Sequence, residues 1–361
     1  MLLKQINITN FRNIIQESIA PSDGINVIVG DNGSGKTSVL ESIYYLSLCK
    51  SFRTKHHQNI VNHESKSLLL FAKLADKESH EHKLGIERLR EGDINIKFDG
   101  AILDKVSEIA SKFCVQFLSP DSFNLLDGSP QLRRAFLDWG CFYHFTEYAE
   151  IYKNFKHVLK QRNALLQQKI NNDYFYFWND KYIEINEALN KIRKEYIKIF
   201  NQEVQDVLKI FLPNNDLIIE LSPGFKEGNL REQLNSAMSR EFAFGYSLYG
   251  CGKADIKIRQ KNIDVIDILS RGQKKLLVTA LKLAQGKIYS KLCGKRCAFL
   301  IDDISSELDE QNLNKLFSYI VELKNDHQFF ISLLNNNSKF IKDNKDIIKE
   351  FSIKTGNIET K

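Results

Sequence analysis

The first 30 residues of the chain alternate between apolar runs and short turns. Ile6 and Ile8 alternate with polar neighbours, which predicts a strand, and residues 10–13 follow it as a turn. Residues 25–29 are nearly all apolar, as is typical of a strand buried on both faces of a sheet. The opening pattern therefore predicts a β-sheet with at least one fully buried strand.

A helix and a hairpin are predicted next. Apolar side chains recur at helical spacing over residues 36–48. Residues 84–89 and 94–98 alternate as two strands would, with a turn at 91–93. The Ser-Pro pair at 129–130 predicts the start of a helix, because serine caps a helix and proline suits its first position.

From about residue 142 to residue 211 the pattern becomes helical, without glycine or proline. Seven apolar side chains spaced four and three residues apart form a heptad seam: Trp178, Tyr182, Ile185, Leu189, Ile192, Tyr196 and Ile199. The preceding helix offers a partner face: Phe155, Leu159, Arg162 and Leu166. A break near 170–173 predicts that the two helices run antiparallel as a helical core.

After residue 245 the pattern returns to α/β, with apolar strands predicted at 298–301 and 329–334 and a helix at 276–288. We therefore predict an α/β lobe built from residues 1–118 and 246–361. Residues 119–245 are predicted to form a helical second lobe, inserted between its two halves.

Composition indicates an ordinary globular protein. The chain has 361 residues, of which 43% are hydrophobic and 27% charged. No apolar stretch approaches the ~20 residues of a membrane helix, and the N-terminal residues lack the apolar stretch of a signal peptide. We expect a cytoplasmic protein without a membrane partner.

The six cysteines are scattered along the chain. Cys293 and Cys297 are spaced closely enough to suggest a zinc site. Structural zinc sites normally use two spaced pairs of ligands, and the sequence has no matching second pair. Free buried thiols are the favoured interpretation.

The net charge of +6 is mild, but its distribution is uneven. Residues 253–296 contain 12 Lys and Arg side chains against three Asp, and such an excess attracts polyanions such as DNA. A solvated, lysine-rich surface is the alternative. The candidate DNA contacts form three clusters: Lys275 and Lys282; Lys153, Lys156 and Lys160; and Arg53, Lys55, His56 and His57.

A phosphate-binding loop follows the buried strand at 25–29. Its pattern G-x-x-x-x-G-K-[ST] is matched by Gly30, Asp31, Asn32, Gly33, Ser34, Gly35, Lys36 and Thr37. Glycines let backbone N–H groups surround a phosphate, and the following helix adds its positive end. Lys36 supplies a charge for the β and γ phosphates, and the Thr37 hydroxyl can complete the shell of Mg²⁺. These residues predict ATP as ligand.

A second acidic element fits this loop. The apolar strand at 298–301 ends in Asp302 and Asp303. Asp302 would hold Mg²⁺ through water, and Asp303 could orient or deprotonate the attacking water. A strand end with two solvated acids is the alternative, and the phosphate loop makes it the less favoured one.

A third element resembles ABC-type ATPases. Residues 269–273 resemble their LSGGQ signature, which here contains Ser270, Arg271, Gly272 and Gln273. Ser306 and Asp309 lie in a segment that resembles their D-loop. In that superfamily the signature contacts ATP bound to the other subunit, so the resemblance implies a homodimer formed on ATP binding. A chance helix capped by Ser270 is the alternative.

The chain resembles the RecF family, whose ATPase heads are similar to those of SMC proteins. The resemblance rests on four segments: 6–13, 30–46, 51–54 and 117–139. Arg271 and Asp303 depart from the general ABC pattern and agree with RecF. The resemblance implies an α/β fold, an ABC-type P-loop ATPase head with an inserted helical lobe.

The resemblance also implies a function in DNA repair and replication. The expected protein dimerises on binding ATP, encloses single-stranded DNA or gapped duplex, and works with RecR and RecO to load recombinase at gaps. It is expected to be associated with the nucleoid. Gln116 falls at the Q-loop position, although an ordinary strand-end glutamine is the alternative. The switch histidine of ABC-type ATPases is missing from its usual place after residues 329–331. Ser332 stands there instead, and His327 lies before these residues. Slow hydrolysis is therefore expected.

Three rivals remain. An ABC transporter subunit would lack the helical seam and the segment at 117–139. A nuclease of the OLD type carries an acidic catalytic domain after the head, and only about 50 residues follow the D-loop here. A nonenzymatic scaffold would use ATP only as a structural ligand.

Overall fold

The structure is a computed structural model that describes residues 1–213, 216–334 and 339–360. The strands are β1 Leu2–Phe11, β2 Ile14–Ile19, β3 Ile25–Val29, β4 Ser67–Ala75, β5 Glu81–Leu89, β6 Ile94–Phe98, β7 Ala101–Ile102, β8 Val115–Leu118, β9 Ile218–Ser222, β10 Asp255–Gln260, β11 Ile263–Asp264, β12 Ala298–Ile301, β13 Gln328–Leu333, β14 Ile348–Lys354 and β15 Asn357–Thr360. The α-helices are α1 Lys36–Leu48, α2 Val106–Lys112, α3 Asn124–Asp127, α4 Pro130–His144, α5 Tyr148–Gln167, α6 Asp173–Phe211, α7 Leu230–Phe244, α8 Val265–Ile268, α9 Arg271–Cys293, α10 Glu310–Leu323 and α11 Lys339–Asp343.

The chain divides into two compact units, and the first comprises Met1–Phe123 and Gly286–Lys361. It contains two six-stranded sheets. One is antiparallel, in the order β2-β1-β4-β5-β6-β7. The other has the order β15-β14-β3-β13-β12-β8, in which only β15 runs antiparallel to its neighbour.

Helix α1 packs between the two sheets of this unit, in contact with β1 and β4 on one side and with β12 and β13 on the other. Its Leu40 and Ile43 are fully buried. Each such side chain contributes roughly 1.5–3 kcal/mol through burial alone. Strands β3 and β12 are buried along their whole length, as their apolar sequences predict.

The second unit, Asn124–Gln285, contains helices α3 to α8 and the antiparallel sheet β11-β10-β9. Helices α5 and α6 form the predicted helical pair, and the connection between them is only five residues long, 168–172. Asn172 caps α6 by accepting hydrogen bonds from the N–H groups of Tyr174 and Phe175.

The buried face of α6 differs from the predicted seam at three of its seven positions. Tyr182, Leu189, Ile192 and Tyr196 are buried as expected. Trp178, Ile185 and Ile199 are only half-buried. The positions that are buried instead include four polar ones, Asn179, Asn186, Asn190 and Arg193. A hydrophobic pattern cannot reveal these side chains, because they are buried through hydrogen bonds.

The boundaries of the two units differ from those predicted. Residues 246–285 group with the helical unit and not with the final segment. The physical reason is that β10 pairs with β9 and that Arg133 on α4 forms an ion pair of 2.7 Å with Asp255 on β10. The start of the second unit, at Asn124, lies five residues beyond the predicted boundary at 118/119.

All six cysteines are free, and five of them are buried, as predicted. Among the described residues, none of the helices combines the length and the apolar character that crossing a membrane requires.

Arg162 and Glu241 form a fully buried ion pair of 2.6 Å inside the second unit. Arg162 also donates to Asn179 and Ser247, at 3.0 and 2.7 Å. We expect Glu241→Ala to destabilise this unit by ~3–5 kcal/mol, because it leaves a buried guanidinium without its counter-charge. Urea unfolding followed by tryptophan fluorescence measures the loss, since both tryptophans, 139 and 178, belong to this unit.

The matched control is Glu227→Ala, which removes the solvent-exposed partner of Lys194. An exposed pair contributes only about 0–1 kcal/mol. Equal losses of unfolding free energy in the two variants would contradict the assignment of the buried pair as a stabilising centre.

Candidate functional site

The predicted phosphate loop connects β3 to α1. Gly33 and Gly35 have φ angles of 79° and 120°, a region that side chains with a Cβ rarely adopt. Lys36 folds back over the loop, and its Nζ donates to the carbonyl oxygens of Gly30 and Asp31 at 2.7 and 2.8 Å. The loop is thus shaped to turn backbone N–H groups and one ammonium group toward an anion.

Two turns from distant parts of the chain hold the loop in place. Asn13, in the turn between β1 and β2, donates to the carbonyl of Ser34 at 3.2 Å and accepts a hydrogen bond from Ser38 at 2.8 Å. Gly356, in the turn between β14 and β15, donates its N–H to the same Ser34 carbonyl at 2.8 Å. The loop therefore has little freedom to change shape.

The packing explains why glycine is needed at position 30. A Cβ there would come within 2.4 Å of the carbonyl oxygen of Ile353 on β14, which is backbone and cannot move aside. Sequence reasoning identified 10–13 as a turn at the end of the family-like segment 6–13, and it gave no role to the segment around 356. Local sequence carries no signal for such a contact across more than 300 residues.

Asp302 follows β12 and lies beside the first turn of α1. Its Oδ1 is 3.3 Å from Thr37 Oγ1 and accepts a hydrogen bond of 2.7 Å from Ser332. Parallel pairing of β12 with β13 and of β13 with β3 brings these three residues together at the carboxyl ends of the strands. Burial raises the pKa of Asp302 above its ordinary value, although the bonds from Ser332 and Thr37 oppose that shift. A desolvated carboxylate of this kind favours a bound cation.

Asp303, the next residue, is exposed and adopts a left-handed conformation with φ of 47°. Its N–H donates to Ser332 Oγ at 3.0 Å, so one serine hydroxyl orients both acids. Sequence reasoning noted Ser332 only as the residue in place of a histidine and missed this positioning role.

Lys36 has a pKa lowered by burial, and Asp302, Asp303 and Asp31 partly oppose this shift. Both Lys36 and the acid pair line one cavity of about 680 Å³, together with Arg12, Arg53 and Arg90. This volume lies within the range of ~300–1,000 Å³ typical of small-molecule sites. A site with several cations and a desolvated carboxylate suits a polyphosphate ligand better than a neutral one.

Arg12 is held at the cavity by a buried acid. Its Nε and Nη2 donate to the two carboxylate oxygens of Glu41 at 2.9 and 2.8 Å, and Glu41 is fully buried on α1. Ser51 also donates to Glu41, and Arg53 lies 3.8 Å from it. Sequence reasoning selected residues 51–54 because they resemble a segment of the RecF family, but it did not reveal the ion pairs of Arg12 and Arg53 with Glu41.

The predicted signature lies in the second unit and forms a reciprocal helix cap. The N–H of Gln273 donates to Ser270 Oγ at 3.3 Å, and the N–H of Ser270 donates to Gln273 Oε1 at 2.9 Å. Arg271 and Gly272 are exposed. The first turn of α9 therefore offers exposed backbone donors and a positive helix end to an anion.

The predicted D-loop residues have local roles. Ser306 donates to the carbonyl of Asp303 at 2.8 Å, and Asp309 caps α10 by accepting the N–H of Asn312 at 2.8 Å. Gln116 lies within β8, paired with Phe299, and is buried. It does not belong to the described residues that line the 680 Å³ cavity. A contact of Gln116 with nucleotide stays a prediction.

His327 lies immediately before β13 and is fully buried, at the opposite end of the strand from Ser332. Burial lowers its pKa to about 3, so its imidazole is neutral at physiological pH. The structure therefore agrees with the expectation that this histidine does not act at the acid pair.

The candidate DNA-contacting clusters differ in exposure. Lys153, Lys156 and Lys160 are all exposed along α5. Lys275 and Lys282 are half-buried, and burial lowers the pKa of Lys282 to about 8. Arg53 is exposed, but it lines the 680 Å³ cavity that Lys36 and the acid pair also line. The α5 stripe is thus the cluster whose members are all exposed; in the third cluster Lys55 and His56 are exposed as well, and His57 is half-buried.

Comparison with known proteins agrees with this geometry. Residues 2–357 match the family described as the RecF/RecN/SMC N terminal domain. The DNA replication and repair protein RecF of Shewanella denitrificans is 39% identical over 323 residues, covering 89% of both chains. The protein of the same name from Proteus mirabilis is 35% identical over the full length of both chains.

Solved structures show the same fold. A structure of the recombination mediator protein RecF with ATP, from the RecFOR pathway, superposes with a TM-score of 0.87 at 25% identity, covering 100% of this chain and 97% of that one. An Smc head bound to the C-terminal winged-helix domain of ScpA has a TM-score of 0.62 at 14% identity, which shows the fold alone. The predicted fold class, an ABC-type ATPase head, is confirmed.

These matches over the full chain favour the repair family over the transporter and OLD-type rivals. The phosphate loop, the acid pair and the capped helix at Ser270 are the elements that sequence reasoning had selected. The chain belongs to the RecF/RecN/SMC N-terminal-domain family, as a RecF-type DNA replication and repair protein.

Proposed function

We propose that the chain binds ATP with Mg²⁺ at residues 30–37 and hydrolyses it. The observation that carries this proposal is the 3.3 Å separation of Thr37 Oγ1 and Asp302 Oδ1 beside Lys36. Mg²⁺ keeps several of its waters, so the Thr37 hydroxyl as a direct ligand and the hydrogen-bonded Asp302 carboxylate, acting through one of those waters, fit the ion. The related RecF structure was determined with ATP.

Each residue of the site has a proposed role. Lys36 would exchange its contacts with Gly30 and Asp31 for the β and γ phosphates. Mg²⁺, when bound at Thr37 and Asp302, offsets the negative charge of the phosphate oxygens. Ser332 holds the carboxylate of Asp302 in place, and Asp303 orients or deprotonates the attacking water.

The proposed hydrolysis is slow, and the groups near the acid pair support this proposal. Ser332 occupies the position of the switch residue, and its hydroxyl is engaged by Asp302 and by the N–H of Asp303. It therefore orients the acids and does not serve as a proton donor to the γ phosphate. With a slow reaction, ATP would stay bound for longer and would maintain the ATP-bound conformation of the protein.

We propose that ATP joins two copies of the chain. The triphosphate bound by Lys36 of one copy would meet the start of α9 in the other, where Ser270 caps the helix. A helix N-terminus with exposed donors binds anions, which supports a role for this cap in contacting the γ phosphate. Ser306 and Asp309 would lie at the same interface.

We propose that the protein also binds DNA, either single-stranded or as a gapped duplex. Binding would depend mainly on the phosphate backbone and hence on salt concentration. RecF of the related structure belongs to the RecFOR pathway. By this relationship we propose that RecR and RecO are partners, and that the protein acts on the nucleoid in the cytoplasm to promote recombinase loading.

Lys36→Ala tests the nucleotide site. The variant should bind Mg-ATP ~10–100-fold more weakly, because it loses charge-assisted hydrogen bonds that contribute about 1.5–3 kcal/mol. Titration calorimetry measures the affinity, and Lys97→Ala, an exposed lysine on β6, is the control. Unchanged affinity in Lys36→Ala would contradict the assignment, and ATP-dependent dimerisation in that variant would favour the scaffold alternative.

Ser270→Arg tests the composite site. The substitution removes the hydroxyl cap and fills the helix start with a bulky side chain, while residues 30–37 are unchanged. We expect ATP affinity within about twofold of the native protein and loss of the ATP-induced dimer, measured by sedimentation velocity. Ser239→Arg, at an exposed position on α7 of the same unit, should dimerise normally. Normal dimerisation of Ser270→Arg would refute the shared site.

Triple replacement of Lys153, Lys156 and Lys160 by Gln tests the DNA surface. If all three contact phosphates, the slope of log affinity against log salt should decrease in magnitude by ~2–3, since each contact contributes roughly 0.9. Fluorescence anisotropy with gapped duplex at several salt concentrations gives the slope. The matched control replaces the exposed Lys181, Lys191 and Lys198 on α6. An unchanged slope in the first variant would exclude the α5 stripe.

A further inference from the structure

The exposed aromatic side chains of the second unit gather at one end of the helical pair α5 and α6. This end comprises the connection 168–172, the first turns of α6 and the residues that close α7. Throughout the described part of the chain, the exposed Phe, Tyr and Trp side chains are found only here, with exposed fractions of 43–55%: Tyr174, Tyr176, Phe177, Phe244 and Tyr246. The nucleotide site uses none of them.

A run of five aromatic residues, 174–178, begins α6. Only Phe175 is fully buried, with its ring centroid 4.9 Å from that of Phe242 on α7 and 5.6 Å from the guanidinium of Arg162 on α5. A helix buries one face, so the neighbouring rings remain in water. Exposed rings forgo the free energy of burial, and a cluster of them at one place indicates a contact surface.

The end of α7 adds two more exposed rings. Gly245 ends this helix with a φ of 74°, and a Cβ at that position would lie 3.1 Å from Cγ of Gln167 on α5. On either side of this glycine, the rings of Phe244 and Tyr246 stack with centroids 5.8 Å apart. The ammonium group of Lys253 lies 5.1 Å from the Tyr246 centroid. Both aromatic groups therefore border the last turns of α5.

Helix α5 carries positive charge that its own segment does not balance. Residues 151–172 contain five Lys and Arg side chains and no Asp or Glu. One of the five, Arg162, is buried and paired with Glu241. The other four are exposed: Lys153, Lys156, Lys160 and Lys169.

Two contacts place these lysines between the aromatic groups. The ring of His157 on α5 lies 5.5 Å from that of Trp178, the last member of the aromatic run. Asn163 on α5 accepts hydrogen bonds from the N–H and the hydroxyl of Ser247, in the turn after α7, at 2.9 and 2.7 Å. Lys160 is three residues from both His157 and Asn163, and residues three apart are neighbours on a helix surface. A basic ridge thus runs between two sets of exposed rings.

Single-stranded DNA matches both features of this surface. Its phosphates require cations, and its unpaired bases have flat faces that stack on aromatic rings, whereas the bases of a duplex already stack on each other. On the basis of the DNA binding proposed above, we propose that this end of the helical pair is a base-stacking site for single-stranded DNA. The lysine ridge would hold the phosphates. The stacking rings would be Tyr174, Phe177, Phe244 and Tyr246.

Fluorescence anisotropy with the full chain and Mg-ATP tests this proposal with two labelled probes, an oligothymidine and an abasic oligonucleotide with the same number of phosphates. The native protein should bind the oligothymidine at least ~10-fold more tightly, because each stacked base contributes a factor of roughly 5–150. Tyr174→Ala/Phe177→Ala and Phe244→Ala/Tyr246→Ala should each lose most of this preference. Their affinity for the abasic probe should stay within about twofold of the native value, since the lysines are unchanged.

Two controls separate stacking from a loss of structure. Tyr174→Phe/Phe177→Tyr keeps both rings and should bind both probes as the native chain does. Ile210→Ala/Ile218→Ala removes exposed apolar surface at the opposite end of α6 and on β9, and it should also bind normally. Far-UV circular dichroism should be equal for all variants.

The outcomes distinguish this proposal from DNA binding itself. If the native chain binds neither probe, DNA binding fails and the stacking site fails with it. If the native chain binds both probes equally, DNA binding stands and the stacking site is overturned, which leaves the exposed rings to a protein partner. The stacking site is also overturned if both alanine variants keep the native preference, or if they lose affinity for both probes in equal proportion.

Discussion

The hydrogen bonds that Asp302 accepts from Thr37 and Ser332 join three segments of chain that are far apart in sequence. They exist because β3, β12 and β13 are parallel neighbours, and parallel strands bring their carboxyl ends to one edge of the sheet. Around this point the loop before α1 supplies donors, Asp302 supplies a desolvated carboxylate, and Asp303 follows at once. Everything proposed for nucleotide chemistry depends on this convergence.

The rest of the first unit makes the convergence rigid. Helix α1 is packed between two sheets, so the residue that begins it, Lys36, and the one that follows, Thr37, cannot shift without disturbing the core. The turn at Asn13 and the turn at Gly356 bind the same carbonyl of Ser34 from different sides. A loop held in this way can bind phosphate with little loss of conformational entropy on binding.

The sequence predicted the local parts of this arrangement better than the long-range ones. The loop at 30–37 follows a fixed pattern, and β12 and all of β3 except Asn26 are apolar, so the strand–loop–helix segment and the two buried strands were predicted correctly. The seam on α6 was predicted at Tyr182, Leu189, Ile192 and Tyr196, but its polar members were not. Arg193 is buried because Asp138 lies 2.7 Å away, and such a partner, 55 residues distant, leaves no periodic signal. The grouping of 246–285 with the helical unit likewise depends on pairing of β10 with β9, which only the folded chain reveals.

The central claim is that Thr37 and Asp302 together form a Mg²⁺ site for bound ATP. Its most direct test is the dependence of ATP affinity on Mg²⁺, measured by calorimetry for the native chain, Thr37→Val and Asp302→Asn. The account predicts that Mg²⁺ strengthens ATP binding to the native chain, and that most of this effect is lost in each variant while metal-free ATP binds all three similarly. Equal strengthening by Mg²⁺ in all three proteins would contradict it.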